Sequence, residues 1–167
     1  ACPECDGLGE RLEFDPQLVV PNEALSLKKG AVVPWAKSNP PSPYYMQVLA
    51  SLAKAYDFSL DTPWSELQPD QRSIILHGTG GLPVALTFKD GRKEYTVQKA
   101  FEGVIGNLNR RMLQTDSAWM REELSKFQTA QPCETCHGAR LKPEALSVKV
   151  DMTDIATPTR MSVADAL

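Results

Sequence analysis

Long apolar runs and histidine are both scarce in this chain of 167 residues, and each scarcity excludes a class of function. No uninterrupted apolar stretch approaches the roughly 18 residues that a membrane-spanning helix needs, so no transmembrane helix is expected. Ala1 to Gly7 carry neither a basic start nor an apolar segment, which argues against a secretory signal and points to the cytoplasm. With two histidines only, His77 and His137, no group of nucleophile, base and orienting residue can be assembled, and an autonomous enzyme is disfavoured. Gly78-Thr79-Gly80-Gly81 is followed by Leu82-Pro83 where a phosphate loop needs Lys and then Ser or Thr, so it reads as a flexible turn. Aromatic residues make up 7%, and no interleaving of aromatic and basic residues stands out of the kind that stacks on exposed bases. What is left is an ordinary globular composition, 42% hydrophobic and 23% charged, enough for one compact domain or a domain with a small appendage.

The four cysteines form two Cys-x-x-Cys pairs, Cys2-Pro3-Glu4-Cys5-Asp6-Gly7 and Cys133-Glu134-Thr135-Cys136-His137-Gly138, which are near-copies of one another. A two-residue spacing lets both thiolates of a tight turn face one tetrahedral ion, and the glycine behind permits the left-handed backbone such knuckles use. Cys2, Cys5, Cys133 and Cys136 together are therefore expected to hold one structural zinc ion. Disulfides or redox dithiols would use the same pairs but fit poorly with a cytoplasmic chain lacking a βαβ pattern. An iron–sulfur cluster is harder to exclude, although its usual spacings add a third nearby cysteine. His137 is an alternative ligand, less favoured while four thiolates are present. A compact zinc ribbon separates its knuckles by roughly 15 to 20 residues. Here residues 6 to 132 intervene, as if a whole domain were inserted into a zinc module.

Within that insert, the stretch from Phe14 to Pro43 is irregular and rich in Pro, Gly and Asn. Tyr45, Val48, Leu49, Leu52 and Tyr56 then recur at helical spacing. Thr62 with Pro63 behind it reads as the cap of a short helix, and a further turn or two runs from Pro69 to Leu76, ended by Gly78. Val84–Phe88 and Lys93–Val97 have strand composition around Asp90-Gly91, a strong hairpin signal. Two apolar stripes, Phe101 to Met112 and Met120 to Phe127, predict helices separated by a break with a cap at Thr115-Asp116-Ser117. Arg110-Arg111 falls outside the first stripe. Leu146 to Val150 alternates like a strand, and residues 155 to 167 read as the entry to another element. The fold class is accordingly α+β, a mixed helical and β-hairpin domain mounted on a four-cysteine zinc module.

Charge is unevenly spread for a chain of net −3. Residues 1 to 23 balance to −5, residues 24 to 56 to +4 and residues 89 to 99 to +2. Such segregation either builds a basic face on an acidic protein or simply solubilises it.

Cys2-Pro3-Glu4-Cys5-Asp6-Gly7-Leu8-Gly9, Phe14-Asp15-Pro16, Leu25-Ser26-Leu27, Gly30-Ala31, Phe101-Glu102-Gly103-Val104, Arg110-Arg111, Arg121-Glu122-Glu123-Leu124 and Cys133 to Leu141 resemble, in this order, the UvrA family of damage-sensing ATPases of bacterial nucleotide excision repair. The resemblance covers essentially the whole chain. It implies a zinc-binding module at 1–13 and 129–150, an insertion domain at 14–128 and the start of a signature-type domain at 151–167. It further implies a parent that binds ATP, dimerises with a second UvrA, and loads UvrB onto damaged double-stranded DNA. No Walker lysine, Leu-Ser-Gly-Gly signature or Asp-Glu pair occurs here, so ATP belongs to the parent and no ATPase activity is expected of this piece. The segment that docks UvrB in the family is not recognisable. Candidate non-sequence-specific DNA contacts are Lys89, Arg92, Lys93 and Lys99 on the hairpin, Arg110 and Arg111 on the helix, and Lys28, Lys29 and Lys37 in the irregular arm. The competing expectation is a structural or protein-interaction module that does not touch DNA.

Overall fold

The computed structural model describes residues 1–36 and 42–166, so Lys37 lies outside the described residues. Two compact units emerge: Phe14–Gln128, and Ala1–Glu13 together with Thr129–Leu167. The chain is α+β, as the sequence predicts, with short helices and two-stranded antiparallel pairs.

Strand β1 (Glu10–Phe14) leads to a single turn α1 (Pro16–Val19), capped by the Asp15 carboxylate, which accepts from the Gln17 N–H at 2.8 Å with Pro16 at the first helical position. A second turn, α2 (Val33–Ala36), buries Trp35. Helix α3 (Pro43–Ala55) starts at a proline and continues through Met, Gln, Leu, Ala and Lys, all good helix formers. Its inner face buries Val48, Leu49 and Leu52. Leu52 is 0% exposed, and burying such a side chain is worth about 1.5–3 kcal/mol.

The short helix expected after Thr62 is one 3₁₀ turn, Trp64–Glu66, entered through extended Pro63. Helix α4 (Pro69–His77) follows. The Gln71 side chain accepts from the Gln68 N–H at 3.0 Å and donates to the carbonyls of Tyr56 and Asp57, so one residue both caps α4 and ties down the end of α3. Gly78 ends α4 with φ 88°.

The hairpin pairs β2 (Pro83–Asp90) with β3 (Lys93–Ala100) in register Leu86↔Val97, Phe88↔Tyr95 and Asp90↔Lys93. The sequence places the turn within Lys89-Asp90-Gly91-Arg92 on its Asp-Gly signal. The strands run on to Asp90 and Lys93, so the two-residue loop is Gly91-Arg92, with Gly91 at φ 60° in the first central position, where a primed turn needs positive φ. The outer edge of β2 is covered by α3: Ser51 Oγ accepts from the Thr87 N–H, and the Gln47 amide bonds both the N–H and the carbonyl of Lys89. That leaves β3 as the free edge of the pair.

Helices α5 (Gly103–Gln114) and α6 (Ala118–Ser125) form on the two predicted stripes, with Ser117 Oγ accepting from the Met120 N–H at the break. Gly78 and Gly103 cross at backbone contact. A Cβ on Gly103 would stand 2.5 Å from the Gly78 nitrogen and the Leu76 carbonyl oxygen. The core between these elements contains Leu52, Ile75, Val104, Leu108, Trp35, Trp64 and Phe101.

The chain then enters β4 (Gln128–Pro132), which pairs with β1. After the second cysteine pair comes α7 (Pro143–Leu146). The strand expected over Leu146–Val150 shrinks to β5 (Lys149–Val150), paired with β6 (Thr153–Asp154), because Pro143 opens a helical turn that absorbs Leu146. Two single turns, α8 (Ala156–Thr159) and α9 (Val163–Ala166), end the described chain. No described helix is long and apolar enough to cross a membrane.

Candidate metal centre and nucleic-acid interface

Each Cys-x-x-Cys segment folds into the same knuckle. Asp6 and Gly7 take φ 50° and 80°, and their counterparts His137 and Gly138 take 48° and 84°. Two residues after each of these glycines a third left-handed residue follows, Gly9 at 81° and Arg140 at 66°. The sequence marks the glycines as left-handed, but Asp6, His137 and Arg140 share that backbone despite their side chains. Asp and His are among the residues that tolerate it best.

The knuckles exchange equivalent hydrogen bonds. The Cys2 N–H donates to the Arg140 carbonyl at 2.9 Å and the Cys133 N–H to the Gly9 carbonyl at 2.9 Å. Equivalent positions differ by 131 in number, and so do the sulfur pairs: Cys2 and Cys133 Sγ lie 4.0 Å apart, Cys5 and Cys136 Sγ 3.7 Å apart. The arrangement is a local two-fold built from a duplicated motif.

All four sulfurs are buried and lie within 4.8 Å of one another. An ion held by bonds of about 2.3 Å to four tetrahedral sulfurs separates them by about 3.8 Å. The two measured pairs therefore match tetrahedral edges, far from the ~2.05 Å of a disulfide. The Gly9 N–H donates to Cys5 Sγ at 3.2 Å, fixing the direction of that sulfur. N–H groups of Cys136 and Thr135 lower Cys133 to about 7, whereas burial pushes Cys2 up to about 11. Without a cation the sulfurs oppose one another's ionisation, and a divalent ion among them removes that conflict. The donor set fits a closed four-thiolate metal site. His137 is exposed and contributes no atom to the cluster.

The basic candidates lie in the other unit and divide by partner. Lys28 pairs with Asp61 at 3.2 Å and Lys89 with Glu94 at 3.2 Å. Lys29, Arg92, Lys93 and Lys99 are exposed and have no ion pair among the described residues. Arg110, expected to face solvent or a partner, is held internally. Its Nε and Nη2 grip both oxygens of Glu102, at 3.1 and 2.8 Å, and Nη1 donates to Gln114. Helix geometry explains this, since residues eight apart lie two turns up the same face. The pairing lowers the Glu102 carboxyl below its ordinary range, the hydrogen bonds from Arg110 being the main cause. Glu102 also accepts from Asn107, whose oxygen takes the Trp35 indole N–H at 3.2 Å, so the ion pair is anchored to the core. Arg111 is half-buried and directs Nη2 at the Met120 sulfur.

Lys99 and Arg110 meet at a cleft of about 440 Å³ lined also by Trp35, Tyr44, Tyr45 and Phe101. No interleaving of aromatic and basic residues stands out along the linear sequence, but the strand produces one. Side chains two apart share a face, so Lys93, Tyr95, Val97 and Lys99 line up on β3, beside Phe88 of β2. Tyr44 of α3 stacks on Phe88 at 5.3 Å, and Phe88 meets Tyr95 at 5.6 Å. The period-two spacing was visible in the sequence, whereas the approach of Tyr44 depends on tertiary packing.

A family model described as the UvrA DNA-binding domain matches residues 15–126. UvrABC system protein A of Brucella abortus is 51% identical over 99% of this chain, as is that of Mesorhizobium japonicum. The chain spans 17% of the length of these two relatives. The crystal structure of UvrA2 from Deinococcus radiodurans superposes with a TM-score of 0.68 at 26% identity, covering 99% of this chain and 21% of that one. Since the family model matches most of its residues, the chain belongs to the UvrA family, as a segment containing its DNA-binding domain.

Proposed function

We propose that this chain is a zinc-anchored accessory domain of a UvrA damage-recognition ATPase, and that it contributes non-sequence-specific contacts to damaged double-stranded DNA. Cys2, Cys5, Cys133 and Cys136 hold one Zn²⁺ ion. Closed by four thiolates, such a site builds structure and offers no open position for chemistry. The insertion domain supplies the DNA contacts, and the residues after 150 begin a signature-type domain. ATP hydrolysis, dimerisation with a second UvrA and the loading of UvrB belong to the rest of the parent protein, and this chain itself hydrolyses no ATP.

The observation that carries the DNA reading is a row of exposed cations, Arg92 and Lys93 at the tip and Lys99 near the base of a hairpin inside the segment matched by the family model, none of them in an ion pair among the described residues. Phosphate contacts from exposed cations need no base recognition, which suits a sensor of chemically varied lesions. Lys89 and Lys28 contribute less, because each already holds a carboxylate. Arg110 favours the second reading, a structural or protein-interaction module, since its guanidinium is committed to Glu102. Titration of the chain with duplexes of two unrelated sequences separates the two readings. DNA contact predicts equal dissociation constants of roughly 10⁻⁴ to 10⁻⁶ M at physiological salt. Absence of binding even at low salt would leave only the scaffold.

A further inference from the structure

The face carrying Lys93, Tyr95, Val97 and Lys99 is left unexplained by phosphate contact alone. Tyr44 is 55% exposed and Tyr95 54%, although both belong to an aromatic row that continues through Phe88 and through Tyr45 to buried Trp35. Rings that only filled the core would not be left half in water. β3 is the free edge of the hairpin, and at about 3.3 Å per residue its two lysines stand about 20 Å apart with the exposed ring between them. Asp90 is the one acid of the hairpin on this face, opposite Lys93 at the tip, while Glu94 points to the other face and holds Lys89.

We propose that this face is a stacking platform for unpaired bases of a DNA strand, with Tyr44 and Tyr95 as the stacking rings and Lys93 and Lys99 as the phosphate contacts. Every base presents a π-face, so an aromatic platform between cations captures single strands without regard to sequence. Bases inside an intact duplex are already stacked on one another and offer no free face to the rings. The cleft beside Lys99, lined by Tyr45, Trp35 and a Glu102 carboxylate whose charge Arg110 offsets, provides space where the strand leaves the platform. The inference rests on the DNA reading above and sharpens it. The domain would then hold DNA more firmly where a strand has come unpaired.

The test compares a labelled twelve-nucleotide oligothymidylate with a strand of the same length built from abasic tetrahydrofuran units, by fluorescence anisotropy with the whole chain at low salt. Stacking raises affinity roughly 5-fold to 150-fold per base, so oligothymidylate should bind at least ~10-fold more tightly than the abasic strand. Tyr44→Ala combined with Tyr95→Ala should abolish that difference while abasic binding persists, and Tyr44→Phe with Tyr95→Phe should retain it. Equal binding of the two strands by the unaltered chain would overturn the stacking platform and leave the phosphate reading intact. An equal loss for both strands in the alanine variant would assign the rings to structure and overturn it as well. If neither strand nor duplex binds, the DNA reading falls together with the platform.

Discussion

Replacing Gly103 by alanine puts a methyl group where the backbone of α4 passes. The cost has two parts. Gly103 sits at φ +80°, a region that costs an L-residue about 1–2 kcal/mol. The added Cβ would also lie 2.5 Å from the Gly78 nitrogen, the His77 carbonyl carbon and the Leu76 carbonyl oxygen. None of these can rotate away, because all are main chain. Overpacking of this kind costs about 1–3 kcal/mol more, for a total of about 2–5 kcal/mol. Gly80 provides the control: it has φ +62° with nothing within 4 Å of its Cβ, so Gly80→Ala isolates the conformational part. All three tryptophans lie between residues 14 and 128, and their fluorescence therefore reports that unit alone. A unit of this size loses roughly 3–6 °C per kcal/mol. Thermal unfolding should fall by about 6–30 °C for Gly103→Ala and by about 3–12 °C for Gly80→Ala, the first variant losing more than the second. Equal shifts in the two variants would refute the close approach of α4 and α5.

Two other outcomes follow from the geometry. Elemental analysis should find one zinc ion per chain, and Cys133→Ser should release it without altering the tryptophan signal, because the core of 14–128 is self-contained; collapse of that signal would contradict a self-supporting insert. Glu102 has a lowered folded pKa, so the stability it contributes is present above the ordinary glutamate range near 4.5 and is lost as pH falls through its folded value. Glu102→Gln should flatten the acid side of the stability profile, and an unchanged profile would remove the Arg110 pair from the account.

The cysteine module was legible because ligand spacing is local: two residues between thiols and a glycine behind suffice to specify a knuckle. Its two-fold exchange of hydrogen bonds was not, since Cys2 and Arg140 meet only after the chain has returned across the insert. The hairpin was legible from Asp90-Gly91, while the pairing of Lys89 with Glu94 and Asp90 with Lys93, which tightens the loop to Gly91-Arg92, depends on the strand register. Thr62 failed as a cap because only a single 3₁₀ turn follows it. For Arg110, the apolar stripe gave its face correctly but not its partner. Glu102 stands inside the periodic stretch but just before the helix itself, and only the folded helix start brings it two turns below the guanidinium.

Salt dependence tests the central claim, that this domain contacts DNA through hairpin cations. The affinity of the chain for a duplex should fall linearly with salt on logarithmic axes, each neutralised phosphate adding about 0.9 to the slope. Replacing Arg92, Lys93 and Lys99 together by alanine should weaken binding to every sequence alike and flatten the slope by about 3. A triple variant that keeps the parental affinity and slope would contradict the account.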